Sequence, residues 1–318
     1  MKDAVIGIDL GGTQLRAVCC RRDGTILARA AVPTSPLGPT AVIAQMVQLF
    51  HEVRGERALD TLVGVGVGAP GPVDGYTGMV YNAPNLPSWR DVPLQALLQT
   101  ALVLPVAVGN DANVAALGEW QFGTGRGTRN FVYVTISTGI GGGVIADGKL
   151  LLGRKGLAGE VGHMTIDVGG PLCGCGNFGC WEALASGTSL GREASITMRG
   201  TPDSALHDLA TPDTVTAAHV WEAAQNGDSV AQTLLHREGM LLGVGLVNLL
   251  HLYSPERIAL GGGVTHSYAL FRATMEETIA ARAMPPYRDV PVGLVSLGSN
   301  VGLLGAAALA LTTFEQSI

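Results

Sequence analysis

The chain has few charged and few aromatic residues for its length. Of its 318 residues, 14% are charged and 5% are aromatic, and the formal net charge is -6. Because basic residues are not in excess, the sequence offers no basic surface for a nucleic-acid backbone or an anionic membrane. We therefore expect chemistry on a small molecule, with no nucleic-acid and no membrane partner.

Long apolar runs are also lacking. The longest, Leu241–Leu250 and Val301–Leu311, are shorter than the roughly 20 residues that cross a bilayer, and both contain glycine. Strand-like residues begin at Val5, which leaves no room for a signal peptide with its cleavage site. The sequence therefore predicts a cytoplasmic protein whose apolar runs are buried helices.

Cysteine is scarce, but three of the five cysteines are clustered. Cys173, Cys175 and Cys180 share a short segment that is rich in glycine. With His163 they supply one nitrogen and three sulfurs, a complete tetrahedral ligand set for a structural Zn²⁺ ion. The alternatives are three free thiols in a loop and a histidine that belongs to the core. A zinc-dependent hydrolase would need an open ligand position, and this set leaves none.

A pattern of strands and glycine turns occurs twice. The strand-like runs Val5–Asp9 and Leu15–Cys20 flank a first turn at Gly11–Thr13. The runs Phe131–Ser137 and Gly142–Ala146 flank a second glycine turn in the same way. A repeat at this scale suggests two related lobes whose glycine turns face each other across a cleft, where a polyphosphate could lie.

Helices are predicted from apolar spacing and from capping residues. They are Thr40–Val53, Ala112–Trp120, a long helix after the N-cap residue Asp228, and a last helix from about Val301. Further short strands are predicted at Leu62–Val67, Pro105–Val108 and Arg257–Leu260. We expect a small N-terminal lobe of residues 1–118 with 303–318, and a larger lobe of residues 119–302 that contains the zinc loop.

The two glycine turns offer backbone N–H groups and threonine hydroxyls to phosphate oxygens. The candidate residues are Gly11, Gly12 and Thr13 in the first turn, and Thr138, Gly139 and Gly141 in the second. Asp9, which ends the first strand, could hold the Mg²⁺ that accompanies ATP through water, or could only cap the turn. Glycine turns are common in hairpins, so the duplication carries this prediction.

Two familiar nucleotide-binding motifs are incomplete or missing. The segment Gly64–Ala69 formally matches the dinucleotide fingerprint, but Pro70–Pro72 follows where that motif requires a helix. No G-x-x-x-x-G-K-[ST] sequence occurs, which excludes a Walker-type NTPase. Any phosphates must therefore be held in another way.

Asp111 follows a short apolar strand and opens a predicted helix, which places its carboxylate at a strand end. Phosphoryl transfer to a sugar hydroxyl needs one carboxylate that accepts the hydroxyl proton, and we predict that Asp111 is this general base. The alternative is that Asn110 or Asp111 only caps the helix.

A sugar needs several polar donors and acceptors around its hydroxyls. The residues that could supply them, near glycines or the zinc loop, are Asn85, Glu160, His163 and Glu182. Because Glu182 follows Cys180 by two residues, a bound metal would fix its position. The alternative is that these carboxylates are solvated surface charges.

Together these segments resemble the ROK family of bacterial sugar kinases and repressors, and within it the glucokinases. The resemblance extends over nearly the whole chain, and the segments that carry it are Asp9–Thr13, Ala69–Asp74, Asn85–Trp89, Asn110–Asn113, Ser137–Gly143, Glu160–His163, Cys173–Glu182 and Gly261–Gly263. It implies an α/β fold of the actin-like ATPase (ribonuclease H-like) type, which is a duplicated two-domain fold, with a zinc-binding loop. Gln14 departs from the lysine that many members carry.

The resemblance also implies an activity, the transfer of the γ-phosphoryl group of ATP to a hexose, foremost to the 6-hydroxyl of glucose. It assigns Asp111 as the base, both glycine turns to the ATP phosphates and Gly262 to the adenosine. The residues that it places around the sugar are Asn85, Asn110, Asp111, Glu160, His163 and Glu182. The cofactors that it implies are ATP, Mg²⁺ and structural Zn²⁺, and the assembly is a homodimer or homotetramer.

Two alternatives stay open. The sugar could be N-acetylmannosamine, N-acetylglucosamine, fructose or allose, because pocket shape decides such differences. The chain could also be a sugar-binding regulator without catalysis. Repressor members carry an N-terminal helix-turn-helix, for which a first strand near Val5 leaves no room, so we expect a kinase rather than a regulator.

Overall fold

The computed structural model describes residues 2–83 and 85–314, in which strands and helices alternate. The strands are β1 (Ala4–Leu10), β2 (Gln14–Arg21), β3 (Ile26–Pro33), β4 (Leu62–Ala69), β5 (Val73–Asp74), β6 (Met79–Asn82), β7 (Arg90–Pro93), β8 (Val106–Asn110), β9 (Phe131–Ile136), β10 (Ile140–Ala146), β11 (Lys149–Leu150), β12 (Arg257–Gly261) and β13 (Val292–Leu294). The helices are α1 (Pro39–Arg54), α2 (Leu94–Leu102), α3 (Asp111–Phe122), α4 (Trp181–Ala185), α5 (Gly187–Met198), α6 (Leu206–Leu209), α7 (Ala217–Gln225), α8 (Ser229–Tyr253), α9 (Tyr268–Arg282) and α10 (Val301–Phe314). Within the described ranges, no helix combines the length and the apolar character that crossing a bilayer requires.

The chain divides into two compact units. The first consists of Met1–Arg129, Gly143–Gly159 and Val295–Ile318, and the second of Asn130–Gly142 and Glu160–Leu294. Three segments that the sequence analysis assigns to the larger lobe belong to the first unit here, namely 119–129, 143–159 and 295–302. The lobe limits drawn from the sequence stay a prediction.

The first unit is built on a five-stranded sheet with the strand order β3-β2-β1-β4-β8. Strand β1 pairs antiparallel with β2 and parallel with β4, and β4 pairs parallel with β8. In this register Asp9 is opposite Gly68, and Gly68 is opposite Gly109. The carboxyl ends of β1, β4 and β8 therefore meet at one edge of the sheet.

Each face of this sheet has its own apolar core. Cys19 belongs to the core under α1, together with Val42 and Met46 of that helix. Cys20 belongs to the core under α10, together with Leu303 and other residues of that helix. Both cysteines are buried, so neither belongs to a candidate site.

Glycines in β1 and β4 let α10 lie directly on the sheet. A Cβ atom at Gly66 would be 1.8 Å from the carbonyl oxygen of Ala306, and one at Gly7 would be 2.4 Å from that of Leu303. No side chain fits at either position without a shift of the α10 backbone. The alternating glycines of β4 thus serve packing, which agrees with discounting them as a dinucleotide fingerprint.

In the second unit, β12 lies between β9 and β13 and is parallel to both, with Ile258 opposite Val132 and Val292. The long helix α8 begins after Asp228, whose carboxylate accepts a hydrogen bond from the Ala231 N–H at 2.7 Å. This confirms the predicted N-cap. A buried cluster of leucines, alanines and one methionine joins α8 to α5 and α7.

Candidate functional site

The first glycine turn follows β1 and is closed by its own hydrogen bonds. The Gly11 N–H donates to the Gln14 carbonyl at 3.0 Å, and the Thr34 hydroxyl donates to the Gly11 carbonyl at 2.7 Å. Gly12 and Thr13 are exposed. The turn is therefore held from behind, and Gly12 and Thr13 are accessible to a ligand.

Asp9 pairs with Arg16, a residue that the sequence reasoning missed. The Arg16 Nε donates to Asp9 Oδ2 at 3.1 Å, and a terminal guanidinium nitrogen contacts the same oxygen. Arg16 also donates to the Ser299 carbonyl at 2.9 Å. The signal in the sequence is the hairpin itself, because Asp9 and Arg16 are register partners in β1 and β2. The arginine compensates the charge of a carboxylate that is only 14% exposed.

Asn110 and Asp111 take different positions at the junction of β8 and α3. Asn110 is the N-cap: its Oδ1 accepts from the Ala112 N–H at 2.9 Å, and its Nδ2 donates to the Gly71 carbonyl at 2.9 Å. Asp111 occupies the first helical position and is exposed. Of the two residues for which a capping role was considered, Asn110 is the N-cap. The Asp111 Oδ1 also accepts the Ala112 N–H, at 2.8 Å, while its side chain stays exposed.

The sheet register brings some of the predicted site residues of the first unit close together. Asp9 and Gly109 are separated by one intervening strand, so their backbones are about 10 Å apart, which is two strand spacings. Asn85 is exposed and lies beside the first turn, since a Cβ atom at Gly12 would be 3.1 Å from the Asn85 Cβ. The turn, Asn85 and the start of α3 are thus the candidate groups of this unit.

In the second unit, the second glycine turn borders a large cavity. The Ser137 N–H donates to the Gly139 carbonyl at 2.8 Å, and the Gly187 N–H at the start of α5 donates to the Ser137 carbonyl at 2.7 Å. The cavity has a volume of about 1000 Å³, and its wall includes Thr138, Arg192, Trp221, Gly263 and His266. No motif in the sequence identifies Arg192, Trp221 or His266, because helices far apart along the chain bring them together.

Gly262 stands where only glycine fits. Its φ is 91°, and a Cβ atom there would be 2.3 Å from the carbonyl oxygen of Ile136. Such a backbone conformation and such close contact both require glycine. Gly263, the next residue, lines the cavity, so the glycine triplet lies at the cavity wall.

The structure gathers the four predicted metal ligands. The ligand atoms of His163, Cys173, Cys175 and Cys180 all lie within 4.8 Å of one another. The Sγ atoms of Cys175 and Cys180 are 3.7 Å apart, and the Cys173 Sγ is 3.7 Å from the His163 Nδ1. Tetrahedral Zn²⁺ with Zn–S bonds of about 2.3 Å places two sulfurs about 3.8 Å apart. The donor set and its spacing therefore fit a structural zinc ion.

The three thiols of this group have different environments. Desolvation raises the pKa of Cys180 to about 12 and also raises the pKa of Cys173. The backbone N–H of Asn177 lowers the pKa of Cys175, the exposed member. Because zinc binds thiolates, the ion would have to displace the protons of the two buried thiols. The free energy of zinc binding would then stabilise the folded loop.

Glu182 links the zinc loop to the second glycine turn. Its Oε2 accepts a hydrogen bond from the Ile140 N–H at 2.9 Å, and its Oε1 lies 3.8 Å from the Cys173 Sγ. His163 turns its Nδ1 toward Cys173 and its Nε2 toward Glu160, at 3.9 Å from Oε2. Thus Glu160, His163 and Glu182 all border the metal group, as the sequence analysis expected for Glu182.

The chain has close relatives among sugar kinases. The sequence profile described as the ROK family matches residues 5–313. A glucokinase of Streptomyces coelicolor is 39% identical over 313 residues, which cover 96% of each chain. A xylose repressor of Bacillus subtilis is 31% identical over 98% of this chain and 78% of the repressor.

Solved structures agree with these matches. The ROK hexokinase from Thermus thermophilus superposes with a TM-score of 0.87 at 33% identity, over 99% of this chain and 100% of the hexokinase. The ROK family glucokinase from Streptomyces griseus, in complex with glucose and AMPPNP, superposes with a TM-score of 0.80 at 35% identity, over 97% and 99% of the two chains. The expected actin-like α/β fold of ROK sugar kinases, with a loop that gathers a Cys₃His group, is confirmed.

Proposed function

This chain belongs to the ROK family, and from that premise we propose that it is an ATP-dependent glucokinase that phosphorylates the 6-hydroxyl of glucose. The observation that carries the proposal is the end-to-end match to a glucokinase, with 39% identity over 96% of both chains. The geometry supports the chemistry, because each unit presents the kinds of groups that phosphoryl transfer to a sugar requires.

In the first unit, Asp111 accepts the proton of the attacking sugar hydroxyl. Its exposed carboxylate at the start of α3 supports this role, since the Ala112 N–H engages only Oδ1 of Asp111 and Asn110 is the N-cap. Asn85 and Asn110 bind sugar hydroxyls, the latter with the amide hydrogen that it does not give to Gly71.

The first glycine turn and Asp9 serve the phosphates. Gly11, Gly12 and Thr13 offer N–H groups and a hydroxyl to phosphate oxygens. Asp9 would hold Mg²⁺ through water, and the ion would neutralise charge on the transferring group. Arg16 keeps the Asp9 carboxylate oriented.

In the second unit, Glu160, His163 and Glu182 bind the sugar, and the second turn with its cavity binds ATP. Thr138, Gly139 and Gly141 contact phosphate, and Gly262 lies by the adenosine. The cavity volume of about 1000 Å³ is at the upper end of the usual range for small-molecule sites, about 300–1,000 Å³. A nucleotide therefore fits it.

Zn²⁺ would be held by His163, Cys173, Cys175 and Cys180, and it would be structural because four protein ligands leave no open position. His163 supports both roles, since Nδ1 faces Cys173 while Nε2 faces Glu160. The ion would thus order the loop on which the second unit's sugar ligands stand.

The test is release of ADP from Mg-ATP with glucose, mannose, fructose, allose, N-acetylglucosamine and N-acetylmannosamine. We expect glucose to give the largest kcat/KM. A preference for an acetylated sugar would keep the kinase and change its substrate. Light scattering on the same preparation tests the proposed homodimer or homotetramer.

A sugar-binding regulator is the second candidate, and the similarity to a xylose repressor at 31% identity favours it. It would bind sugar but release no ADP with any sugar of the panel. Calorimetric sugar binding in the absence of turnover would therefore replace the kinase proposal with the regulator.

A further inference from the structure

Trp181 stands between two candidate functional residues of the second unit. It follows Cys180, a proposed zinc ligand, and precedes Glu182, a proposed sugar ligand. It is the first residue of α4, and its side chain is fully buried, with 0% exposure. The position of its indole ring therefore affects both neighbours.

The indole ring is fixed by α8 in two ways. Its Nε1–H donates to the Leu241 carbonyl at 3.0 Å. Its fused ring lies against Gly245, where a Cβ atom would be 2.1 Å from Cε2 and 2.4 Å from Cδ2. Any side chain at position 245 would therefore push the ring away, and the ring cannot approach α8 in this way over another residue.

The backbone of Trp181 is fixed as well. Its N–H donates to the Met164 carbonyl at 2.8 Å, and Thr165 pairs with Cys180 as an antiparallel bridge. The residue after His163 is thus tied to the residue after Cys180. One tryptophan joins α8, the histidine side of the metal group and the start of α4.

These contacts of Trp181 also affect the next residue, Glu182. The Glu182 carboxylate accepts the Ile140 N–H at 2.9 Å and has to keep that hydrogen bond while it binds sugar. A short helix such as α4, five residues long, cannot fix a side chain by its own hydrogen bonds. We propose that Trp181, seated on Gly245, is a positioning residue that sets the place of the Glu182 carboxylate for sugar recognition. This inference rests on the proposed function of Glu182.

The first variant is Gly245→Ala, with Gly243→Ala as its matched control. Both substitutions add one methyl group to α8, and both meet a steric barrier, since a Cβ atom at Gly243 would be 2.6 Å from the Thr278 Cβ on α9. Of the two glycines, Gly245 has the Trp181 ring as its nearest neighbour, whereas Gly243 has Thr278 and Met275. We expect Gly245→Ala to raise the glucose KM roughly tenfold and to leave the ATP KM within about twofold, because a small displacement of a binding group is costly. Gly243→Ala lowers the melting temperature without this selective rise.

The second variant is Trp181→Phe, which keeps an aromatic ring and removes the Nε1 donor to Leu241. We expect a rise in glucose KM of about threefold to tenfold with kcat much less affected. Zinc content is measured at saturating zinc in every variant, so that a shift of Glu182 is separated from loss of the metal. A wild-type glucose KM in Trp181→Phe would overturn the proposal.

The double variant Gly245→Ala with Trp181→Leu decides whether the glycine acts through the ring. Leucine lacks the ring atoms that the new methyl group would meet, so the double variant should have the glucose KM of Trp181→Leu alone. Effects that multiply would show that Gly245 acts by another route and would refute the pairing. If the wild type instead prefers another sugar, the proposed substrate is wrong, and the same variants test the positioning role through the KM of that sugar.

Discussion

The first unit places its candidate groups at the ends of strands, whereas the second unit places most of its candidate groups on a loop. Asp9 is the last residue but one of β1, Asn110 ends β8, and Asp111 starts the helix that follows. Glu160 and His163 stand in a segment with only a short 3-10 turn, Val161–His163. Strand ends in a five-stranded sheet are fixed by many backbone hydrogen bonds, while the loop depends on side-chain cross-links.

The difference shows which interactions the candidate groups of each unit require. In the first unit, the backbone around a functional side chain should keep its place when that side chain is changed. In the second unit, removal of one cross-link should displace several groups together, because Cys173 contacts both His163 and Glu182. Substitution of Asp111 in the first unit should therefore affect the chemical step, and substitutions in the loop should affect sugar binding.

The largest effect is expected for Asp111→Asn. The amide cannot accept the hydroxyl proton, and loss of a general base costs roughly 10²–10⁴-fold, so we expect kcat to fall about 10³-fold. Since Asn110 caps α3 independently, glucose binding by calorimetry should stay within about threefold.

Asp60→Asn is the control for this prediction. It removes an exposed carboxylate from the same unit, in a 3-10 turn, and should leave kcat unchanged. An Asp111→Asn enzyme with wild-type kcat would exclude Asp111 as the base and would remove the contrast between the two units.

A smaller effect, on binding rather than turnover, is expected for Cys175→Ser. Loss of one of four ligands should release zinc and raise the glucose KM about 10- to 100-fold, with a lesser change in kcat. Bound zinc is measured by metal analysis of the purified protein, alongside steady-state kinetics.

Cys19→Ala is the matched cysteine variant, since Cys19 is buried in the core of the first unit. It should lower stability but keep zinc and the glucose KM. If Cys175→Ser retained one zinc per chain, Cys175 would not be a required ligand; if it lost zinc but kept a wild-type glucose KM, sugar binding would not depend on the metal.

The sequence was sufficient for features that rest on local chemistry. The N-cap Asp228, the glycine turns and the Cys₃His group follow from residue types at short spacing, and the structure contains them all. In the same way, Pro70–Pro72 after Gly64–Ala69 was enough to discount a dinucleotide fingerprint, and in the structure β5 rather than a helix follows β4.

Features that depend on contacts distant in sequence could not be predicted. Nothing in the sequence marks Ile140 as the donor to Glu182, which is 42 positions away. Likewise, the cavity joins the start of α5, the start of α7 and the glycine triplet, which share no motif. The Asp9–Arg16 ion pair lies between the locally determined features and the distant contacts. The hairpin register predicts this pair once the turn length is known.

Among the residues that the structure describes, each unit also buries one glutamate, and the two differ in their partners. Glu119 in α3, with 0% exposure, accepts hydrogen bonds from the backbone N–H groups of Thr124 at 2.9 Å and Leu297 at 2.8 Å. Glu238 in α8 is 1% exposed, and its Oε1 has no partner among the described residues. Desolvation raises the pKa of Glu238 to about 8. The two carboxylates are thus equally buried and differ in their hydrogen-bond donors.

The smallest effect on activity, and none on substrate binding, is expected for Glu238→Gln. Because the folded pKa of about 8 exceeds the ordinary value of 4.5, the folded protein takes up a proton between these pH values. The free energy of unfolding of the wild type should therefore fall with rising pH in this window, by about 1.4 kcal/mol per pH unit relative to the variant, and should level off above it. Urea unfolding at pH 5, 6.5, 8 and 9 measures this slope. Glu222→Gln, an exposed glutamate on α7, should run parallel to the wild type. A constant difference between Glu238→Gln and the wild type at all four pH values would contradict the raised pKa of Glu238.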